Sequence, residues 1–253
     1  MGEHVAPATP AKKKRSNIFW NIVGVVGELL ITFAIVVGLF SVWQLYWTTY
    51  EVAGQVAQTI ASYEEEHQPS KRTLGEVRTD DPPAFDREVG DGEVYGLVHV
   101  PTWDWMKIPL AEGTTSYVLD QGWAGHYDMT TQPGGVGNFS VAGHRRTYGN
   151  NFRWIDRLTQ GDKVVVEVDD RYLVYSMVSS EIIDATDPTQ MRVVAPVIDD
   201  ESWSEVPTER WMTMTTCHPE YGNWQRYIVH LKFESWTPKD TGVPAELVDE
   251  PTN

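Results

Sequence analysis

The 253-residue sequence predicts a mainly-β body carried on one N-terminal membrane helix. Three observations predict it. Between residues 93 and 236, short runs rich in β-branched and aromatic residues alternate with turn residues. Leu29–Tyr50 carries no charge over 22 residues, enough at about 1.5 Å per residue to cross a hydrocarbon core of about 30 Å. The segments on either side of the body are rich in proline and acids. Many short strands with turn signals fit a sandwich or a barrel, and periodicity alone does not choose between them.

In chain order, residues 1–17 read as a basic cytoplasmic tail, with Lys12, Lys13, Lys14 and Arg15 against Glu3. Residues 18–50 read as the transmembrane anchor. Trp20 lies near one end and Trp43, Tyr46, Trp47 and Tyr50 near the other, as interfacial aromatics do. Glu28 interrupts the apolar run and is expected near the headgroups. Basic residues before the span place the N-terminus in the cytoplasm and the body outside. A cleaved signal peptide is the rival, but the run exceeds a typical h-region and no small-x-small site follows it. Residues 51–92 read as a stalk and polar linker: Val52, Val56, Ile60 and Tyr63 share helical spacing, and Pro69, Pro82 and Pro83 follow.

The body spans 93–236. Strands are expected at Val94–Val100, Asn138–Ala142, Lys163–Val168, Arg171–Ser179, Trp211–Cys217 and Arg226–Glu234. Asp169-Asp170 marks a hairpin. A short helix is expected after Asn150-Asn151, with Phe152, Ile155 and Leu158 on one face and Gly161 as its stop. Residues 237–253 read as a flexible acidic tail. No second span is seen. A net charge of −16 argues against nucleic acid as a partner.

The chain has one cysteine, Cys217. Exported proteins usually pair their cysteines, so a lone one is either buried and inert or a reactive thiol. If Trp211–Cys217 and Arg226–Phe233 pair antiparallel, Cys217 ends one strand and Arg226 begins the next, at the same end of the sheet. The thiolate is the attacking species and a neighbouring cation favours it. An arginine can also hydrogen-bond a developing oxyanion. Taken alone, Arg226 is equally a surface residue that starts a strand. Acyl transfer by cysteine also needs a proton carrier, usually histidine. His4 and His67 lie outside the body, His99 and His230 lie within strands, and the His218 side chain should point away from that of its neighbour Cys217. His126 and His144 remain, and spacing does not decide between them.

These residues resemble the sortases, membrane-anchored cysteine transpeptidases of Gram-positive bacteria. The family's Thr-Leu-x-Thr-Cys motif is matched by Thr213-Met214-Thr215-Thr216-Cys217, with Met for Leu, a swap of similar volume. The histidine segment is matched by Gly125-His126-Tyr127, Pro133 to Asn138 and Ala142-Gly143-His144-Arg145, and the arginine by Arg226. Gly96-Leu97-Val98-His99-Val100-Pro101 resembles the family's first barrel strand. The resemblance implies a closed eight-stranded β-barrel with short helices. It implies Cys217 as nucleophile, His144 as acid/base and Arg226 as stabiliser of substrate and oxyanion. It further implies cleavage between Thr and Gly of a Leu-Pro/Ala-x-Thr-Gly-type signal through a thioester, and transfer to a cell-wall amine. The implied partners are secreted proteins with a C-terminal sorting signal and a lipid-linked peptidoglycan precursor. The sequence is most similar to class E, the actinobacterial housekeeping type. A pilus-polymerising enzyme is disfavoured by the missing second span and by Pro83 after Asp81-Pro82, where that class carries an aromatic lid. A cysteine hydrolase would use the same residues with water as acceptor, and a non-catalytic surface module would keep Cys217 as a structural residue. No cofactor is expected, and no spaced set of metal ligands stands out from the acidic surface.

Overall fold

The structure, a computed structural model, describes residues 18–43, 47–69 and 71–251. It divides into two compact units, residues 1–43 and 44–253. In the first, α1 (Ile18–Val42) is a single helix. Its segment Phe19–Val42 has a mean hydropathy of 2.5 and is long and apolar enough to cross a membrane. It runs without a break through Glu28, because glutamate is a good helix former and leaves the backbone bonds intact. Residues 1–17 and Tyr46 lie outside the described residues.

In the second unit, α2 (Thr48–Glu66) leads to a closed β-barrel. Its strands are β1 (Val94–Val100), β2 (Met106–Glu112), β3 (Ala124–His126), β4 (Gly137–Ala142), β5 (Lys163–Val168), β6 (Arg171–Asp184), β7 (Arg210–His218) and β8 (Gln225–Pro238). Around the barrel the order is β1-β2-β3-β4-β7-β8-β6-β5. β2 pairs parallel with β3 and β4 parallel with β7, while the other pairs are antiparallel. Val164, Val166, Phe139, Val141, Met212, Met214, Val229 and Leu231 alternate into one core, so the period-two pattern of each strand is buried on a single side. Met214, the departure from the family motif, is fully buried there.

Two strands were not legible in the sequence. β2 contains Pro109, which cannot donate to a ladder. It stands opposite Leu97 of β1, and β3 pairs only from Leu110 onward, so no bond to β3 is asked of it. β3 is three residues of Ala-Gly-His, too short to show a pattern. The helix expected after Asn150-Asn151 is reduced to a 3-10 turn, Ile155–Arg157, although Phe152, Ile155 and Leu158 are all buried as expected.

The segments flanking the barrel are more ordered than their composition suggested. Leu74 bridges to Val243, Arg78 bridges to Trp236, and Phe85 and Val89 pack on the main core. The C-terminal segment is not loose: Val243 and Leu247 are buried with Val165, Tyr172 and Val174. Glu250 completes an ionic cluster. Its carboxylate accepts from His99 Nδ1 at 2.8 Å and faces Lys107 at 3.1 Å and Arg72 at 3.3 Å. His99 Nε2 meets Glu167 at 2.8 Å, Lys239 meets Glu167 at 2.7 Å, and Lys107 meets Glu64 of α2 at 2.6 Å. Proline and acid content reads as a tail only when the partners of those acids are unknown. Here the partners of Glu250, His99 of β1, Lys107 of β2 and Arg72, all lie more than a hundred residues away.

Candidate active site

β7 and β8 form a hairpin in which Cys217 stands directly opposite Arg226. Opposed residues on paired strands project to the same face, so thiol and guanidinium emerge side by side at the sheet end. Cys217 is half-buried and free. Arg226 is steered by its own loop: Nη1 donates to the carbonyls of Asn223 at 2.7 Å and Gln225 at 2.9 Å.

β4 runs parallel to β7 with its last residue, Ala142, beside Thr215, so the chain leaves β4 two residues before the level of Cys217. Three contacts fix that exit. Gly143 N donates to Thr215 O at 3.1 Å, Thr216 Oγ1 donates to Gly143 O at 2.7 Å, and Phe152 N donates to His144 O at 2.9 Å. Gly143 lies flat on the Phe152 ring, where a Cβ would stand 2.8 Å from ring carbons, so a close approach requires glycine. His144 is the next residue, partly exposed, and its Nε2 donates to Asp120 Oδ1 at 2.8 Å.

The other histidines are held elsewhere. His126 is fully buried, with Nδ1 against Glu112 at 2.9 Å and Nε2 against Thr130 and Thr131 at 3.0 Å. His230 is buried between Thr213 and Glu181. His99 belongs to the ionic cluster, and His67 stacks on Tyr63. His218 turns from Cys217 to accept from Arg145 Nη1 at 2.9 Å, and burial followed by the Arg145 cation holds its pKa below the usual histidine value. His4 lies outside the described residues. Of the two histidines that spacing left open, His144 is the one at the Cys217 end of the sheet.

Sequence reasoning missed Tyr127. Its hydroxyl meets Thr215 Oγ1 at 2.9 Å. Burial raises its pKa, and the Thr215 hydrogen bond and then the Arg226 cation oppose that rise. Its only sequence signal was its place after His126. The cavity of about 260 Å³ lined by His99, Glu167 and Glu250 belongs to the ionic cluster and touches none of Cys217, His144 or Arg226. Among the described residues no group of three or more His, Cys, Asp or Glu side chains is arranged to hold a metal ion.

A family model described as the sortase domain matches residues 98–234, more than half the chain. The chain belongs to the sortase family. Sortase SrtE2 of Streptomyces coelicolor is 32% identical over 223 residues, 86% of this sortase and 84% of the relative. Sortase SrtE1 of the same organism is 37% identical over 229 residues, 88% of this sortase and 60% of the relative, so this chain spans about three fifths of that protein. Among solved structures, the SrtA sortase from Actinomyces oris is 43% identical with a TM-score of 0.64, covering 70% of this chain and 99% of that one. Sortase E1 from Streptomyces coelicolor with a tripeptide in the active site is 38% identical with a TM-score of 0.55, covering 63% and 99%. The closed eight-stranded barrel and the class E relatives agree with the fold and family expected from the motifs.

Proposed function

We propose that this sortase is a membrane-anchored cysteine transpeptidase of the class E housekeeping type, with Cys217 as nucleophile, His144 as acid/base and Arg226 as oxyanion stabiliser. The observation that carries the reading is the register of β7 and β8, which sets the chain's single cysteine opposite an arginine, while β4 ends at Ala142 beside Thr215, two residues before His144.

The Cys217 thiol gives its proton to His144 as Sγ attacks the Thr carbonyl of a Leu-Pro/Ala-x-Thr-Gly-type signal. Arg226 donates to the carbonyl oxygen as it becomes negative, a contribution of roughly 10²–10³ in rate for a well-placed donor. His144 gives its proton to the Gly nitrogen, the C–N bond breaks, and a thioester remains on Cys217. An incoming amine attacks the thioester, His144 takes the amine proton, and the C–S bond breaks as the new amide forms, with His144 returning that proton to the Cys217 sulfur. Splitting the exchange in two avoids direct amine attack on an amide. The tripeptide in the active site of the Streptomyces coelicolor relative supports a peptide substrate.

In this reading residues 1–17 are cytoplasmic and α1 is the anchor. The barrel faces outward, where secreted proteins with sorting signals and a lipid-linked peptidoglycan precursor are held at the same surface. Shared attachment raises their effective concentration. The test is incubation with paired Leu-Pro-x-Thr-Gly and Leu-Ala-x-Thr-Gly peptides plus an added amine, read by mass. Ligated product supports the reading. Cleaved peptide without ligation would identify a hydrolase, and an unchanged peptide would leave a binding module.

A further inference from the structure

His144 is held from two sides. Asp120 accepts from its Nε2 at 2.8 Å, and the Tyr148 ring packs against its ring with centroids 5.3 Å apart. Asp120 lies 24 residues upstream of His144 and outside every motif in the sequence. It is the residue that closes α3 (Ser116–Leu119), with its N–H donating to Ser116 O at 2.9 Å.

The loop that carries Asp120 is fixed by neighbours on two sides. Gln121 Oε1 accepts from Gln55 Nε2 of α2 at 2.7 Å. Gly122 has a φ of +79°, and a Cβ there would stand 2.9 Å from Val56 Cγ2 of α2 and 3.0 Å from Tyr148 O. Asn151 Nδ2 donates to Trp123 O at 2.7 Å. The helix α2, the loop of Asp120 and the loop of Tyr148 therefore meet at Gly122. A side chain presented this way keeps its place through the reaction, as a group that orients a catalytic ring must.

We propose that Asp120 is a positioning residue for His144: it holds the imidazole proton on Nε2 and leaves Nδ1 as the nitrogen that exchanges protons with Cys217 and the amine. The inference rests on the reading of His144 as acid/base. A neutral imidazole carries one donor and one acceptor, and a carboxylate accepts only, so Asp120 selects the Nε2–H tautomer. Rotation of the ring would break the same bond, so tautomer and orientation are fixed together. In each half-reaction Nδ1 then gains one proton and returns one, with Nε2–H unchanged. Carboxylates that orient metal-bound histidines are worth about 10–100-fold in activity, and a loss of the same order is expected here.

The test uses the full chain in detergent micelles, labelled with ¹⁵N-histidine, with a Leu-Ala-x-Thr-Gly peptide and an added amine as substrates. Asp120→Ala should lower kcat by about 10–100-fold with little change in KM, and the His144 ring signals should move from the Nε2–H pattern to a mixture of tautomers. Asp120→Asn, whose amide can donate to the ring as well as accept from it, no longer selects Nε2–H and should lose kcat and the single-tautomer signal as well. If Asp120→Ala fails to fold, the ring signals of Asp120→Asn carry the test, because an unchanged Nε2–H pattern in that variant would overturn the proposal. Unchanged kcat in Asp120→Ala, or an unchanged tautomer, would also overturn it. His144→Ala separates the two readings. Should that variant stay active, the acid/base assignment falls and this inference with it; should it be inactive while Asp120→Ala is not, only this inference falls.

Discussion

Glu250→Ala should destabilise the second unit by an amount that only an ordered C-terminal segment can explain. The Glu250 side chain is 3% exposed and faces three cations, His99, Lys107 and Arg72. Removing one partner from a buried ion pair costs about 3–5 kcal/mol when the other charge is left alone. Here each cation keeps an alternative. His99 retains Glu167, Lys107 retains Glu64, and Arg72 is 44% exposed and turns to water. The expected loss therefore falls below that range, about 2–3 kcal/mol, which for a unit of this size lowers Tm by roughly 4–12 °C. Calorimetry on residues 44–253 measures it. Glu250→Gln, which keeps the shape and one acceptor toward His99, should lose less than the alanine variant. A Tm within about 2 °C of the parent for Glu250→Ala would refute the reasoning, since a tail that merely rests on the barrel would give that result.

The same cluster predicts a pH dependence. Burial alone would lower the pKa of His99, but Glu167 and Glu250 override it and hold it up at about 9. Its contribution is complete below 6.5, the ordinary histidine value, and is lost as pH rises through about 9. Burial would raise Glu167, but His99 and then Lys239 hold it down at about 2, so its contribution is present above 4.5 and lost as pH falls through about 2. Tm should therefore decline between pH 6.5 and about 9, and His99→Gln should flatten that slope; an unchanged slope would count against the cluster as its source. Arg226→Lys keeps the charge and loses the planar fork, and should lower kcat by roughly 10²–10³, measured in the ligation assay. Gly143→Ala drives a Cβ into the Phe152 ring and should cost about 1–3 kcal/mol with a fall in kcat, because the same backbone presents His144. A fall in Tm with kcat intact would separate that packing from the site.

The barrel was legible where each strand buries one face. β5 and β8 show their period in the sequence because Val164 and Val166, and Val229 and Leu231, fill the core. β2 and β3 were not, because Pro109 and a three-residue strand carry no local signal and are fixed by pairing alone. At the site, the Cys217–Arg226 pair followed from a hairpin, a local feature. The choice between His126 and His144 did not, because it depends on the parallel pairing of β4 with β7, two strands about seventy residues apart. Asp120 and Tyr127 were illegible for the same reason: their roles come from tertiary contacts with His144 and Thr215, not from the residues beside them.

The central claim is that Cys217 forms a covalent acyl-enzyme. Intact-mass measurement of the enzyme, stopped with acid during turnover of a Leu-Ala-x-Thr-Gly peptide, tests it most directly. The predicted result is an adduct equal to the peptide up to threonine less water, mapped to Cys217, lost on addition of the amine and absent from Cys217→Ala. Ligated product from Cys217→Ala, or an adduct mapped to another residue, would contradict it.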